Sequence, residues 1–146
     1  MGTFQAVRAY YEIPLIAAYQ ALSPAIPVFV DNQEYTDCDA LTEFVLMRIN
    51  FGTICQQGIN QNLEYVQGNL ILEVYSAKGV GPGRGQELIE IGLYTLYDIG
   101  ATTAGRVGNV KGNFGQIVGP SFTALDGRPH YLTRLSVPIQ ARYYRN

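Results

Sequence analysis

Histidine occurs once in this 146-residue sequence, tryptophan not at all, and cysteine twice. A single histidine excludes a His-pair zinc or iron site and any relay of histidines. Cys38 and Cys55 have the spacing of neither a CxxC redox pair nor a zinc knuckle, so a reduced, intracellular setting is the simplest expectation. Only 15% of the residues are charged, yet 47% are hydrophobic, a balance that argues against disorder. No apolar run of about 18 residues is present, so no membrane-spanning helix is expected. The N-terminus lacks the basic start, apolar run and cleavage site of a secretory signal. What remains is a single folded domain, in which a chain of this size buries roughly 68–70% of its unfolded surface.

The net charge of −2 is too small to imply a nucleic-acid or membrane partner. Its distribution is more informative. Residues 1–43 carry Arg8 against Glu12, Asp31, Glu34, Asp37, Asp39 and Glu43. From residue 99 onward Arg106, Lys111, Arg128, Arg134, Arg142 and Arg145 stand against Asp126 alone. Oppositely charged halves allow two arrangements. Copies can pair head to tail, acidic edge against basic edge, or the halves can neutralise each other within one subunit.

Apolar residues at spacings of three and four (Phe4, Val7, Tyr11, Leu15, Ala18, Leu22) predict a helix over 3–22. Thr3 is its candidate N-cap, Pro14 is expected to kink or restart it, and Ser23-Pro24 should end it. Short strands are expected at Pro27–Asp31 and Phe44–Phe51, with the acidic stretch 31–43 as a loop between them. Residues 58–77 read as one long strand with a bulge at Gly68 or as a hairpin turning there. A glycine-rich loop, 78–85, leads into a helix over Gln86–Asp98 with a stop at Gly100. Residues 100–113 show no apolar period and read as a mobile loop. Phe114–Leu125 should hold a strand and Asp126-Gly127 a turn. In the closing strand, Tyr131–Tyr144, Tyr131, Thr133, Leu135, Val137, Ile139, Ala141 and Tyr143 face one way. Arg134, Ser136, Gln140 and Arg142 face the other. Pro138 cannot donate to a ladder, which marks this strand as an edge or as bulged. The order predicts an α+β fold: a mostly antiparallel sheet of about four to five strands with two α-helices packed on one face, spanning residues 1–146 as one domain.

No catalytic constellation emerges. Gly79, Gly81, Gly83 and Gly85 precede a helix, as a phosphate cradle would. Neither GxGxxG nor GxxxxGK[ST] is present, and Pro82 removes a donor, so a conformationally permissive connector is the more economical reading. Asp31, Glu34, Asp37, Asp39 and Glu43 lack the glycine-pivoted spacing of a calcium loop. His130 has no GxSxG elbow to serve and sits at the start of a strand after Arg128-Pro129, where a turn residue is the natural reading. The tyrosines at 131, 143 and 144 come with too few cations for a single-strand-binding platform and read as core and interface groups. No cofactor, metal or enzymatic activity is expected.

Several segments together resemble the tail terminator (tail-completion, minor tail) proteins of long-tailed bacteriophages. They are the N-terminal helix around Phe4-Gln-Ala-Val-Arg-Ala-Tyr, Pro27-Val-Phe-Val-Asp-Asn, and Leu70-Ile-Leu-Glu-Val-Tyr-Ser with Lys78-Gly-Val-Gly-Pro-Gly-Arg-Gly and the helix from Gln86. Phe114-Gly-Gln-Ile-Val-Gly-Pro-Ser and the closing strand through Val137-Pro-Ile-Gln-Ala-Arg-Tyr-Tyr complete the pattern. Pro14 departs from a continuous first helix.

The resemblance implies a virion protein, assembled in the host cytoplasm, that forms a homo-hexameric ring on the head-proximal end of the tail tube. Such a ring stops tube polymerisation and joins tail to neck. Its partners would be copies of itself, the tail tube protein, the neck connector and, in a contractile tail, the sheath protein, with DNA only in transit through the pore and no membrane. Residues expected to meet neighbours are Asp31, Glu34, Asp37 and Asp39 on the acidic side. On the basic side they are Lys78, Arg84, Arg106, Lys111, Arg142 and Arg145. A neck adaptor or head-completion protein is the nearest rival, and a tail tube protomer, which should carry a long hairpin, is another. A small ligand-binding domain using the 78–85 loop is the rival of a different class.

Overall fold

The computed structural model describes residues 2–30, 41–57, 63–79, 81–101, 106–107, 110–124 and 129–144. The chain runs α1 (Thr3–Gln20), β1 (Val28–Phe29), β2 (Phe44–Gln57), β3 (Leu63–Ala77), α2 (Gly83–Ala101), β4 (Arg106–Val107), β5 (Val110–Phe114), β6 (Val118–Ala124) and β7 (His130–Tyr144). The strands form one sheet in the order β1-β2-β3-β7-β5-β4, with β6 also pairing β7. Among the described residues only β1–β2 is parallel. The fold is α+β as expected, with seven strands among the described residues in place of four or five.

Both helices cover the same sheet face. Val7, Leu15 and Tyr19 of α1 and Leu88 and Leu96 of α2 are buried with Val45, Met47, Leu70, Leu72, Leu135, Val137 and Ile139 of the central strands. The alternation read in β7 holds: Thr133, Leu135, Val137, Ile139, Ala141 and Tyr143 are buried, while Arg134, Gln140 and Arg142 are exposed.

Several expectations are corrected. Pro14 does not restart α1, which is helical on both sides of it. An internal proline costs about 3 kcal/mol, but Tyr11, Leu15 and Tyr19 are each almost fully buried, and one such side chain offsets about 1.5–3 kcal/mol. The Tyr11 hydroxyl also donates to the Asn113 carbonyl at 2.8 Å, and the Tyr19 hydroxyl to that of Leu88 at 2.7 Å.

Gly68 neither turns nor bulges the chain. It lies within β3, and the register shift falls in β2, between Phe51 and Thr53. A Cβ at Gly68 would stand 2.5 Å from the Asn50 carbonyl oxygen, so the residue permits a close strand approach. Strands β2 and β3 thus form a long antiparallel hairpin.

The glycine segment divides in two. Gly79 and Gly81 have φ of 89° and 84° and form the expected permissive connector. Gly83 and Gly85 already belong to α2, which also continues through Gly100 rather than stopping there.

Within 100–113 the structure has the end of α2, the strand β4 and most of β5. Val110 is buried, and Gly112 leaves room for the Tyr10 ring, which a Cβ would meet at 2.2 Å. A five-residue strand anchored by one valine and one glycine has no readable period.

Strand β7 is neither an edge nor bulged against β3. It pairs with β3 along its whole length, with β5 at residues 139–143, and with β6 between 131 and 136. Pro138 falls in the gap between β5 and β6, where its carbonyl accepts the Gly115 N–H at 2.8 Å. The missing donor therefore lies where the chain passes from one neighbouring strand to the next.

His130 is not a turn residue. It opens β7 and is 1% exposed. The Asp126-Gly127 turn, Cys38, and the acidic residues Asp31, Glu34, Asp37 and Asp39 lie outside the described residues, as does Arg145.

Candidate assembly surface

The helix-free face of the sheet has two unlike ends. At one end Phe44 stacks on Tyr75 with centroids 4.4 Å apart, and His130 meets Phe44 edge-on at 5.0 Å. His130 Nε2 donates to the Leu41 carbonyl at 2.6 Å, since a carbonyl can only accept. This ties residue 41, within the acidic stretch 31–43, to the start of β7. Beside this cluster Arg48 pairs with the nearly buried Glu73 at 2.9 Å.

At the other end the register brings distant cations side by side. Tyr65 of β3 lies opposite Arg142 of β7, Arg142 opposite Lys111 of β5, and Lys111 opposite Arg106 of β4. Cys55 of β2 extends the row beyond Tyr65. Directly opposed residues share a face, with Cβ atoms about 4.5–5.5 Å apart. Lys111 and Arg142 are exposed, and neither has a carboxylate at ion-pair distance among the described residues. The Arg142 guanidinium lies over the Tyr65 ring, 5.9 Å from its centroid. Tyr65, Lys111, Asn113, Gln140 and Arg142 line a half-open groove.

The remaining sequence candidates go elsewhere. Arg84 is in the first turn of α2 and is occupied within the subunit by Glu43 and Glu87. Lys78 is exposed in the turn after β3, where its N–H donates to the Pro129 carbonyl at 3.0 Å. The structure therefore brings Arg106, Lys111 and Arg142 into one row and leaves Lys78 and Arg84 apart from it.

Two features escaped the sequence. Tyr65 joins the row only through β3–β7 pairing, and nothing local marks it. An aromatic patch also spans α2 and the strand beside it: Tyr94 and Tyr97 are large exposed side chains on α2. Tyr97 lies 6.2 Å from Tyr94 and 5.7 Å from Phe114, centroid to centroid. The helical spacing of Tyr94 and Tyr97 was readable, but their outward direction depends on how α2 docks.

No family model matches the chain, and no curated protein matches it. Among solved structures, one protein without a functional name is similar over 100% of both chains, at 17% identity and a TM-score of 0.61. At that identity the likeness shows the fold alone.

Proposed function

We propose that this protein is a structural subunit of a bacteriophage tail, a tail terminator that closes into a ring on the head-proximal end of the tail tube. The ring would end tube polymerisation and present a surface to the neck connector, with six copies as the family resemblance implies. The observation that carries the reading is the cross-strand row of half-buried Tyr65 and exposed Arg142 and Lys111, in register with Arg106. Like charges placed directly opposite on neighbouring strands destabilise a sheet. Such a local conflict is the mark of a surface kept for a partner. The aromatic patch of Tyr94 and Tyr97 beside Phe114 is a second, chemically different surface on the same subunit, as a head-to-tail ring requires.

Mass by light scattering, with negative-stain imaging of the protein alone and on tail tubes, tests this. Closed rings, or single rings capping tube ends, are expected. A monomer at high concentration that leaves tube ends bare would refute the reading. The long β2–β3 hairpin supports a second reading, a tube protomer, which would give stacked rings growing into tubes instead of single caps.

A further inference from the structure

We infer that the basic row is the docking site for the acidic segment 31–39 of a second copy of this chain. The inference deepens the assembly reading above and rests on it. The segment holds Asp31, Glu34, Asp37 and Asp39 and no basic residue. The row offers Lys111 and Arg142 exposed, with Arg106 in register beside them. Charge complementarity alone would also permit pairing within one chain, and the fold argues against this for the aspartates nearest Leu41.

Leu41 is held at the His130 end of β7 by the Nε2–carbonyl hydrogen bond. Arg142 lies twelve residues further along β7, which pairs with β3 over that length with no register break. At roughly 3.3 Å per residue the separation is about 40 Å. A chain spans at most about 3.6 Å per residue, so Asp37 stays within about 14 Å of Leu41 and Asp39 within about 7 Å. Neither can reach the row of its own subunit, even with both side chains extended. Asp37 and Asp39 can therefore meet Lys111 and Arg142 only between copies, and the contact is heterologous: the segment of one copy on the sheet face of the next. Arg142 stacked on Tyr65 is already oriented to receive a carboxylate, and the bare Lys111 beside it completes a two-point cation pair.

The cysteines supply the test. Cys38 lies between Asp37 and Asp39, and Cys55 is exposed at the Tyr65 end of the row. Within one chain Cys38 stays within about 11 Å of Leu41, while Cys55 is at the far end of the sheet. A disulfide needs Cα atoms within about 7 Å, so only a bond between copies can form. The full-length protein is treated at low salt with diamide, which takes up the two electrons and two protons released as the thiols join.

A ladder of disulfide-linked dimers, trimers and longer chains is expected on a non-reducing gel, because each copy offers one cysteine of each kind. Cys38→Ser and Cys55→Ser should each abolish the ladder, and an equimolar mixture of the two should give dimers only. Lys111→Glu with Arg142→Glu, both exposed positions, should suppress cross-linking at least tenfold while circular dichroism and melting temperature stay as in the parent. The inference is overturned if the only product is a Cys55–Cys55 dimer, if the charge-reversed variant cross-links as well as the parent, or if a short DNA duplex occupies the row and the chain does not cross-link. Rings that still form on tubes in the charge-reversed variant would remove this docking mode and leave the terminator reading standing. Failure of the parent to form rings would remove the terminator reading.

Discussion

The Arg84 guanidinium grips the Glu43 carboxylate at two points, Nε to Oε1 and Nη2 to Oε2, each at 2.9 Å. The pair ties the start of α2 to the residue just before β2, 41 positions away in sequence. Donating these hydrogen bonds to Glu43 is the main reason the Arg84 pKa is raised above its ordinary value. Both side chains are partly screened by solvent, so Arg84→Ala should cost about 1 kcal/mol, within the range for charge-assisted hydrogen bonds. Arg84→Lys keeps the charge and loses the fork, and should recover less than half of that loss. Urea denaturation of the three proteins measures both.

Gly85 lets α2 approach Thr133 of β7 closely. A Cβ on Gly85 would lie 2.2 Å from Thr133 Oγ1. Gly85→Ala should therefore destabilise by about 1–3 kcal/mol, the usual cost of overpacking. Thr133 Oγ1 is itself buried without a hydrogen-bond partner. Thr133→Val removes that unsatisfied group and should leave the protein as stable as the parent or up to about 1 kcal/mol more so. Thermal melts of the two variants should move in these opposite senses.

A similar clash is expected in the hairpin. Gly68→Ala sets a methyl against the Asn50 backbone oxygen, and no side-chain rotamer relieves a backbone contact. A loss of about 1–3 kcal/mol should follow, with faster amide exchange confined to the β2–β3 ladder if the damage stays local.

Alkaline pH should unfold the protein. Burial raises the pKa of Tyr11 and of Tyr19 well above 10.0. Both phenols are thus held neutral in the folded state, while in the unfolded chain they ionise near pH 10. Their contribution to stability is fully present below about pH 10 and falls as pH rises toward their folded-state values, because the native state there binds more protons than the unfolded one. Tyrosinate absorbance should rise in two stages, exposed tyrosines first and the buried pair only with loss of tertiary structure. Tyr19→Phe should delay the second stage. Smooth titration of all the tyrosines at constant fold would contradict this.

Much of the α+β layout was readable because its signals are local. The alternation of β7 and the apolar stripes of the two helices each lie within a run of neighbouring residues. The misreadings share one cause. Pro138 looks like an edge marker until β5 and β6 are seen to divide one side of β7 between them. Val110 and Gly112 look like loop residues until Tyr10 packs over Gly112. His130 looks like a turn residue until Leu41 and Phe44 surround it. In each case the deciding partner is remote in sequence, and local propensity gives way to packing.

The candidate surface shows the same division. By itself the sequence determined that acids gather before residue 44, that cations gather after residue 99, and that one face of the closing strand is polar. Only the tertiary structure decided which cations meet. Pairing of β4, β5, β7 and β3 sets Arg106, Lys111, Arg142 and Tyr65 in one row, and the length of β7 separates that row from Leu41. Strand register is a non-local property with a side-chain period of two, so a shift of one residue would turn the row to the opposite face with the composition unchanged.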